Sequence, residues 1–276
     1  MIFTYNKWER FCARLQKEDW QSISAREVTA QNSTYLVLKH DVETNVPNAH
    51  RMAYIEAKYG HRGSYYVQAY LLEKPENVEL LQQMQAMGHE ISYHYDVLDA
   101  CKGDLERALA EFEKCRKTFE NNGFSLTTVC QHGNPVMERV GYTSNRDFFR
   151  SARVQEQYPG IADIMVDYPE KYETSYLYFS DAGHLFKQIH DPINNDVVSS
   201  ESENIPYRDL NELINGLSKE TGNIISIHPH RWTGSAVKYV VKSTVFKMTK
   251  VIAKLLIKIP FIRKMMSRFY FLAKKF

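Results

Sequence analysis

The sequence predicts an α/β fold built on a mostly parallel, barrel-like sheet. Two observations carry this expectation. Short runs rich in β-branched and aromatic residues alternate with amphipathic stretches that end at glycine or asparagine. Five of the apolar runs also end in histidines, carboxylates or amides, and the carboxyl ends of strands are where α/β folds place ligands. A chain of 276 residues, 43% hydrophobic and without a low-complexity tract, is long enough for a full core.

The elements follow in order. Tyr5 to Lys17 reads as a helix, with Thr4 as its cap and Trp8, Phe11, Cys12 and Leu15 on one face. Tyr35 to His40 is the first strand. Val46 to Tyr59 is helical and stops at Gly60. Ser64 to Gln68 is a strand by its aromatic and β-branched content. Pro75 to Met87 is a helix closed by Gly88, and Glu90 to His94 is a short strand. Asp104 to Glu120 is strongly amphipathic and closed by Asn121-Asn122-Gly123, with Thr127 to Cys130 as the strand after it. Ile161 to Val166 and Tyr176 to Phe179 are further strands, Tyr207 to Leu217 a helix, and Asn223 to Ile227 the last strand. No internal repeat is visible. The chain divides into a helical lead-in (1–34), the main α/β unit (35–235) and a tail (236–276).

Composition excludes several classes. Cys12, Cys101, Cys115 and Cys130 form no CxxC, so zinc-finger and redox motifs are absent and reduced thiols of a cytosolic protein fit best. The N-terminus lacks the basic start and apolar run of a secretory signal. No window reaches the roughly 18 apolar residues of a spanning helix. Charge is divided unevenly. Residues 237–276 hold 11 of the 35 basic residues and none of the 33 acidic ones, which leaves 24 basic against 33 acidic residues in the body.

The first strand ends in Lys39-His40-Asp41-Val42-Glu43. Side chains alternate along a strand, so Asp41 and Glu43 share one side and His40 takes the other. The other four ends are Gly88-His89-Glu90-Ile91-Ser92-Tyr93-His94-Tyr95-Asp96, Gln131-His132-Gly133-Asn134-Pro135, Phe179-Ser180-Asp181-Ala182-Gly183 and Ile225-Ser226-Ile227-His228-Pro229-His230. Neutral imidazoles beside carboxylates suit a divalent metal of the zinc type. His61, His184 and His190 fall outside the pattern and read as structural.

Taken in order, these motifs resemble the polysaccharide deacetylase family, the NodB-homology or carbohydrate esterase family 4 group. The nearer likeness is to its His-Asp-Val-Asp sub-group of O-antigen and capsule biosynthesis. The match runs from about Tyr35 to Trp232 and includes Lys58 to Val67; Gly88-His89-Glu90-Ile91 before His94 is its most specific piece. The resemblance implies an irregular (β/α) barrel of seven or eight strands. It implies a metal-dependent hydrolase that removes N-acetyl or O-acetyl groups from a surface-glycan sugar or its lipid-linked precursor. Carried over, Asp41, Glu43 and His94 are the metal ligands, with zinc as the expected cofactor. Asp41, Asp181 and His228 are catalytic: Asp41 or Glu43 takes a proton from water, and His228, tuned by Asp181, protonates the leaving nitrogen. His132, Asn134, His230 and Trp232 line the substrate groove.

The chain departs from the family pattern in three places. The adjacent Asp-Asp becomes Asp41-Val42-Glu43, which leaves base and ligand roles open between the two carboxylates. Leu98 stands where a second metal-binding histidine is expected, with Asp96 or His132 as replacements, and the arginine of the third motif is absent. A catalytically inactive barrel that binds glycan or acts as a scaffold is therefore the alternative.

In the tail, Lys247, Lys250, Lys254 and Lys258 recur at helical spacing among large apolar residues, up to Pro260. Phe261 to Phe276 mixes Arg263, Lys264, Arg268, Lys274 and Lys275 with more of them. A basic amphipathic helix fits an anionic membrane surface, so the expected location is the inner face of the cell membrane, reached from the cytoplasm. An acidic body without a recognised motif argues against a nucleic-acid partner.

Overall fold

The computed structural model describes residues 2–134, 137, 139–168, 175–192 and 204–256. Helix α1 (Tyr5–Lys17) leads to β1 (Tyr35–Val42), α2 (Val46–Lys58), β2 (Gly63–Val67), α3 (Pro75–Ala86), β3 (Glu90–Tyr95), α4 (Val97–Cys101), α5 (Leu105–Asn121) and β4 (Thr128–Gln131). Then come α6 (Ala152–Gln157), β5 (Ala162–Asp163), β6 (Tyr176–Ser180), β7 (Lys187–Ile189) and β8 (Ile205–Pro206). The described chain ends with α7 (Leu210–Asn215), β9 (Gly222–Ile227) and α8 (Ala236–Leu256). The expected α/β class with a mostly parallel sheet is what the chain adopts. The strands pair in the order β5-β4-β3-β2-β1-β9-β6-β7-β8. Neighbours from β5 through β6 are parallel, while β7 and β8 join as an antiparallel extension.

β1 lies between β2 and β9, and all eight of its residues are buried. A central parallel strand covered on both faces reads this way. Its two faces meet different surroundings. Leu36 and Leu38 pack with Trp8 and Phe11 of α1 and with Met52 and Ile55 of α2. Tyr35 and Val37 meet Tyr66 of β2, Cys130 of β4 and Ile224 of β9. In a flat sheet β1 and β4, with two strands between them, would stand about 14 Å apart. Donor atoms of Asp41 on β1 and Cys130 on β4 lie within 4.8 Å of each other, so the sheet curls around this second face. Among the described residues, no ladder joins β5 to β8.

Local chemistry sets the element ends. The Asn45 side chain, on a backbone with φ of 56°, accepts from Asn48 N–H and starts α2 directly after Glu43. Gly63 opens β2 where an added Cβ would lie 2.9 Å from both Glu56 Oε2 and Leu38 O, so this junction admits only glycine. Three expectations need correction. The strand expected over Ile161 to Val166 shrinks to Ala162–Asp163, because Asp163 Oδ1 accepts from Met165 N–H and turns the chain. The helix expected from Tyr207 begins at Leu210, where Asp209 caps the N–H groups of Asn211 and Glu212. The short strands β7 and β8 and helices α4 and α6 were not expected. The tail begins as the helix α8; residues 257–276, with Pro260 and the Phe261–Phe276 stretch, lie outside the described residues, as does Pro135.

Candidate functional site

The second face of β1 continues past Val37 to Lys39, Asp41 and Glu43, and these residues open onto a cleft of about 560 Å³ at the carboxyl ends of the strands. The cleft is also lined by His94 from β3, Cys130, His132 and Asn134 from the end of β4, and Ser226, His228 and Arg231 from the end of β9. The curl of the sheet thus brings motifs far apart in sequence to one rim.

Two groups of potential ligands converge there: Glu43, His94 and His132, and Asp41, His94 and Cys130, the donor atoms of each group lying within 4.8 Å of one another. Their chemistry separates them. Lys39 Nζ lies 2.6 Å from both carboxylate oxygens of Asp41 and 3.2 Å from Ser226 Oγ. Burial alone would raise the Asp41 carboxyl, but this ammonium, with help from His94 and His228, holds it far below the ordinary carboxylate range. Burial likewise pushes the Cys130 thiol up, away from the thiolate a metal requires. Asp41 already has its cation, and Cys130 keeps its proton.

The first group fits a divalent cation better. Two imidazoles and one carboxylate form a zinc donor set that leaves a position for water or substrate. Burial pushes His94 down to about 4, so its imidazole is neutral near pH 7. His94 Nδ1 donates to Cys130 O at 3.0 Å, which leaves the Nε2 lone pair available. His132 Nε2 stands 3.4 Å from Glu43 Oε1, and the buried His132 Nδ1 has no hydrogen-bond partner among the described residues. Burial opposes the charge on Glu43, but the hydrogen bond from His132 and the neighbouring histidines hold its carboxyl well below the usual value.

Across the rim, His228 Nδ1 donates to Asp181 Oδ1 at 2.6 Å, and His228 N–H donates to Asp181 Oδ2 at 3.1 Å. Arg231 Nη1 bonds the same carboxylate at 2.8 Å and the Asp181 carbonyl at 2.7 Å. Burial works against the Asp181 charge, but Arg231 and His228 outweigh it and lower the carboxyl. The tautomer set by Asp181 aims Nε2 between the two rim carboxylates, 3.8 Å from Asp41 Oδ2 and 3.8 Å from Glu43 Oε1. An imidazole held this way can accept a proton and give it back.

The other expected residues are placed as follows. Asn134 lines the cleft, and His230 Nδ1 lies 3.9 Å from Glu43 Oε2 beside it. Trp232 does not line the groove. It is fully buried and stacks on Phe3 with ring centroids 4.9 Å apart, in the core that also holds Trp8. Its apolar ring serves packing of the N-terminal segment, which corrects the expected substrate role. Asp96 stands just before α4, without a side-chain capping bond, and is not in the lining, whereas His132 has a donor atom within 4.8 Å of those of Glu43 and His94. Sequence reasoning missed Lys39, Cys130 and Arg231. Alternation along β1 puts Lys39 on the side of Asp41 and Glu43, and that was the available signal for it.

Beneath the rim, His40 points away from the cleft. Its Nε2 lies 2.9 Å from Glu56 Oε1, and its ring stacks on Tyr65 with centroids 4.1 Å apart. The buried Glu56 also accepts from Trp8 Nε1 at 3.0 Å and from Tyr65 OH at 2.8 Å. Burial opposes its charge, but His40, with help from His89 and Tyr65, lowers its carboxyl.

No family model matches the chain, and no curated protein matches it. Among solved structures, it is similar to the catalytic domain of a peptidoglycan N-acetylglucosamine deacetylase from Eubacterium rectale. That similarity has 11% sequence identity, covers 81% of this chain and 87% of that chain, and has a TM-score of 0.46.

Proposed function

We propose that this protein is a metal-dependent hydrolase that removes an N-acetyl or O-acetyl group from a surface-glycan sugar or its lipid-linked precursor. One observation carries the reading: the Asp181-oriented His228 faces the Glu43–His94–His132 donor set across a single cleft. A divalent cation held by Glu43, His94 and His132 would supply Lewis-acid polarisation of the acyl carbonyl.

The chain's own residues divide the remaining work. His228 Nε2 accepts a proton from the attacking water as the new C–O bond forms. It then returns that proton to the leaving amine or alcohol as the old C–N or C–O bond breaks, so acetate and the free sugar group result. Asp181 fixes the tautomer and stabilises the imidazolium between the two transfers. Asp41, with both oxygens on Lys39, is a weak base and serves to hold charge at the rim. Asn134 and Arg231 leave polar groups on the cleft wall for sugar hydroxyls.

The test pairs zinc content of the purified protein with acetate release from N-acetylhexosamine oligomers and O-acetylated sugars. Stoichiometric zinc and release that stops in His228→Ala support the reading. A protein that takes up no divalent metal and releases no acetate from either class refutes it. A glycan-binding protein without turnover is the second reading, favoured by Lys39, whose buried ammonium already neutralises Asp41. Sugar binding without metal or release would select it.

A further inference from the structure

We propose that α8 is an interfacial helix that seats the rim of the cleft on an anionic lipid surface. The helix has two opposed sides. Tyr239 and Ser243 are buried against the body, and Tyr239 packs on Phe3, which stacks on Trp232. At about 100° per residue, the opposite side carries Val237, Val241 and Met248, with Val240 on its flank. These are 73%, 59%, 61% and 52% exposed. From Val237 to Met248 the stripe runs about 17 Å along the helix. Single exposed apolar side chains need no explanation, but a continuous stripe opposite the docked side does.

Charge identifies the occupant. Residues 237–276 contain 11 basic and no acidic residues, while the body is acidic. An acidic protein partner would satisfy that charge but not the valine stripe beside it; an anionic bilayer satisfies both, with headgroups for the lysines and acyl chains for the valines. Among the described residues, no helix is long and apolar enough to cross a membrane, so α8 lies along the surface. Its position matters for the site. Lys242 donates to His230 O, and α8 follows closely on the segment that carries His228, His230 and Arg231. A bilayer touching the outer stripe is thereby brought beside the same rim that forms the cleft, where a lipid-linked sugar would be presented.

Vesicle binding tests this without turnover, so its failure and that of the hydrolase reading are separable. The full chain is sedimented with phosphatidylcholine vesicles, with and without phosphatidylglycerol. It is expected to pellet with the anionic vesicles only, and less as salt shortens the Debye length. Val237→Asp/Val241→Asp is expected to lower vesicle affinity at least tenfold with an unchanged circular dichroism melt. If that variant does not fold, Val241→Ser is expected to lower affinity in the same assay. Absence of pelleting, equal pelleting of a folded variant, or a solution dimer that the same substitutions dissociate would each overturn the proposal. The dimer result would assign the stripe to a second copy of the chain.

Discussion

The Lys39 ammonium lies 2.6 Å from each carboxylate oxygen of Asp41, and both side chains are buried. Lys39→Met keeps the length of the side chain and removes its charge, leaving Asp41 without its cation. Removing one partner of a buried pair costs roughly 3–5 kcal/mol. Denaturant unfolding of Lys39→Met against the native chain is expected to show a loss of that order. Lys39→Met/Asp41→Leu is expected to recover much of it. A loss under about 1 kcal/mol in the single variant would mean that the pair does not hold the rim.

Metal retention distinguishes the two donor groups. His94→Ala and His132→Ala are expected to abolish zinc retention, because each removes an imidazole from a set of three. Cys130→Ser is expected to leave it unchanged, because burial keeps that thiol protonated. Elemental analysis after dialysis checks both. Zinc lost from Cys130→Ser would move the site to Asp41, His94 and Cys130.

Orientation of His228 rests on Asp181. Asp181→Asn keeps the volume but replaces an acceptor that fixes Nδ1–H and balances Arg231. Acetate release is expected to fall by about 10²–10⁴-fold, mostly in kcat, as general acid–base assistance is lost. Equal kcat in the variant would remove His228 from the proton path.

Stability in acid follows from the buried imidazoles. Burial pushes His94 and His230 down to about 4, against an unfolded value of about 6.5. Below pH 6.5 the unfolded chain gains protons that the folded chain refuses, so stability is lost as pH falls from 6.5 toward 4. Glu90 and Asp163, whose carboxyls burial raises, act in the opposite sense. The readout is therefore the difference between the metal-free native chain and His230→Asn. Between pH 6.5 and 4.5 the native chain is expected to lose roughly 1–2 kcal/mol more than the variant. Parallel stability curves would contradict the cause given for His230.

Much of this architecture was legible before any coordinates. Helix α1 occupies Tyr5–Lys17 as its apolar spacing predicts, and most strands lie within a residue or two of their expected ends. Long periodic elements announce themselves because many residues repeat one signal. β7 and β8, three and two residues long, carry too few to repeat anything. At the site, the rim histidines and carboxylates were readable because ionisable groups rarely follow apolar strands without a task. Lys39 was not recognised, although its place two residues before Asp41 fixes its side. Trp232 was misassigned for a different reason. An aromatic residue beside a histidine motif reads the same whether its ring faces the cleft or the core, and only the packing of Phe3 decides between them.

β1 carries a buried polar pair on each of its faces, Lys39–Asp41 toward the cleft and His40–Glu56 toward the helices. Sliding the strand by one residue would carry Lys39 and Asp41 together off the cleft face and part His40 from Glu56. The rim carboxylates are therefore held in place before any ligand arrives, and ordering them is part of folding rather than of binding. Directed evolution toward a new substrate should accordingly find its useful changes in the loops after β4 and β9, and almost none between Tyr35 and Glu43.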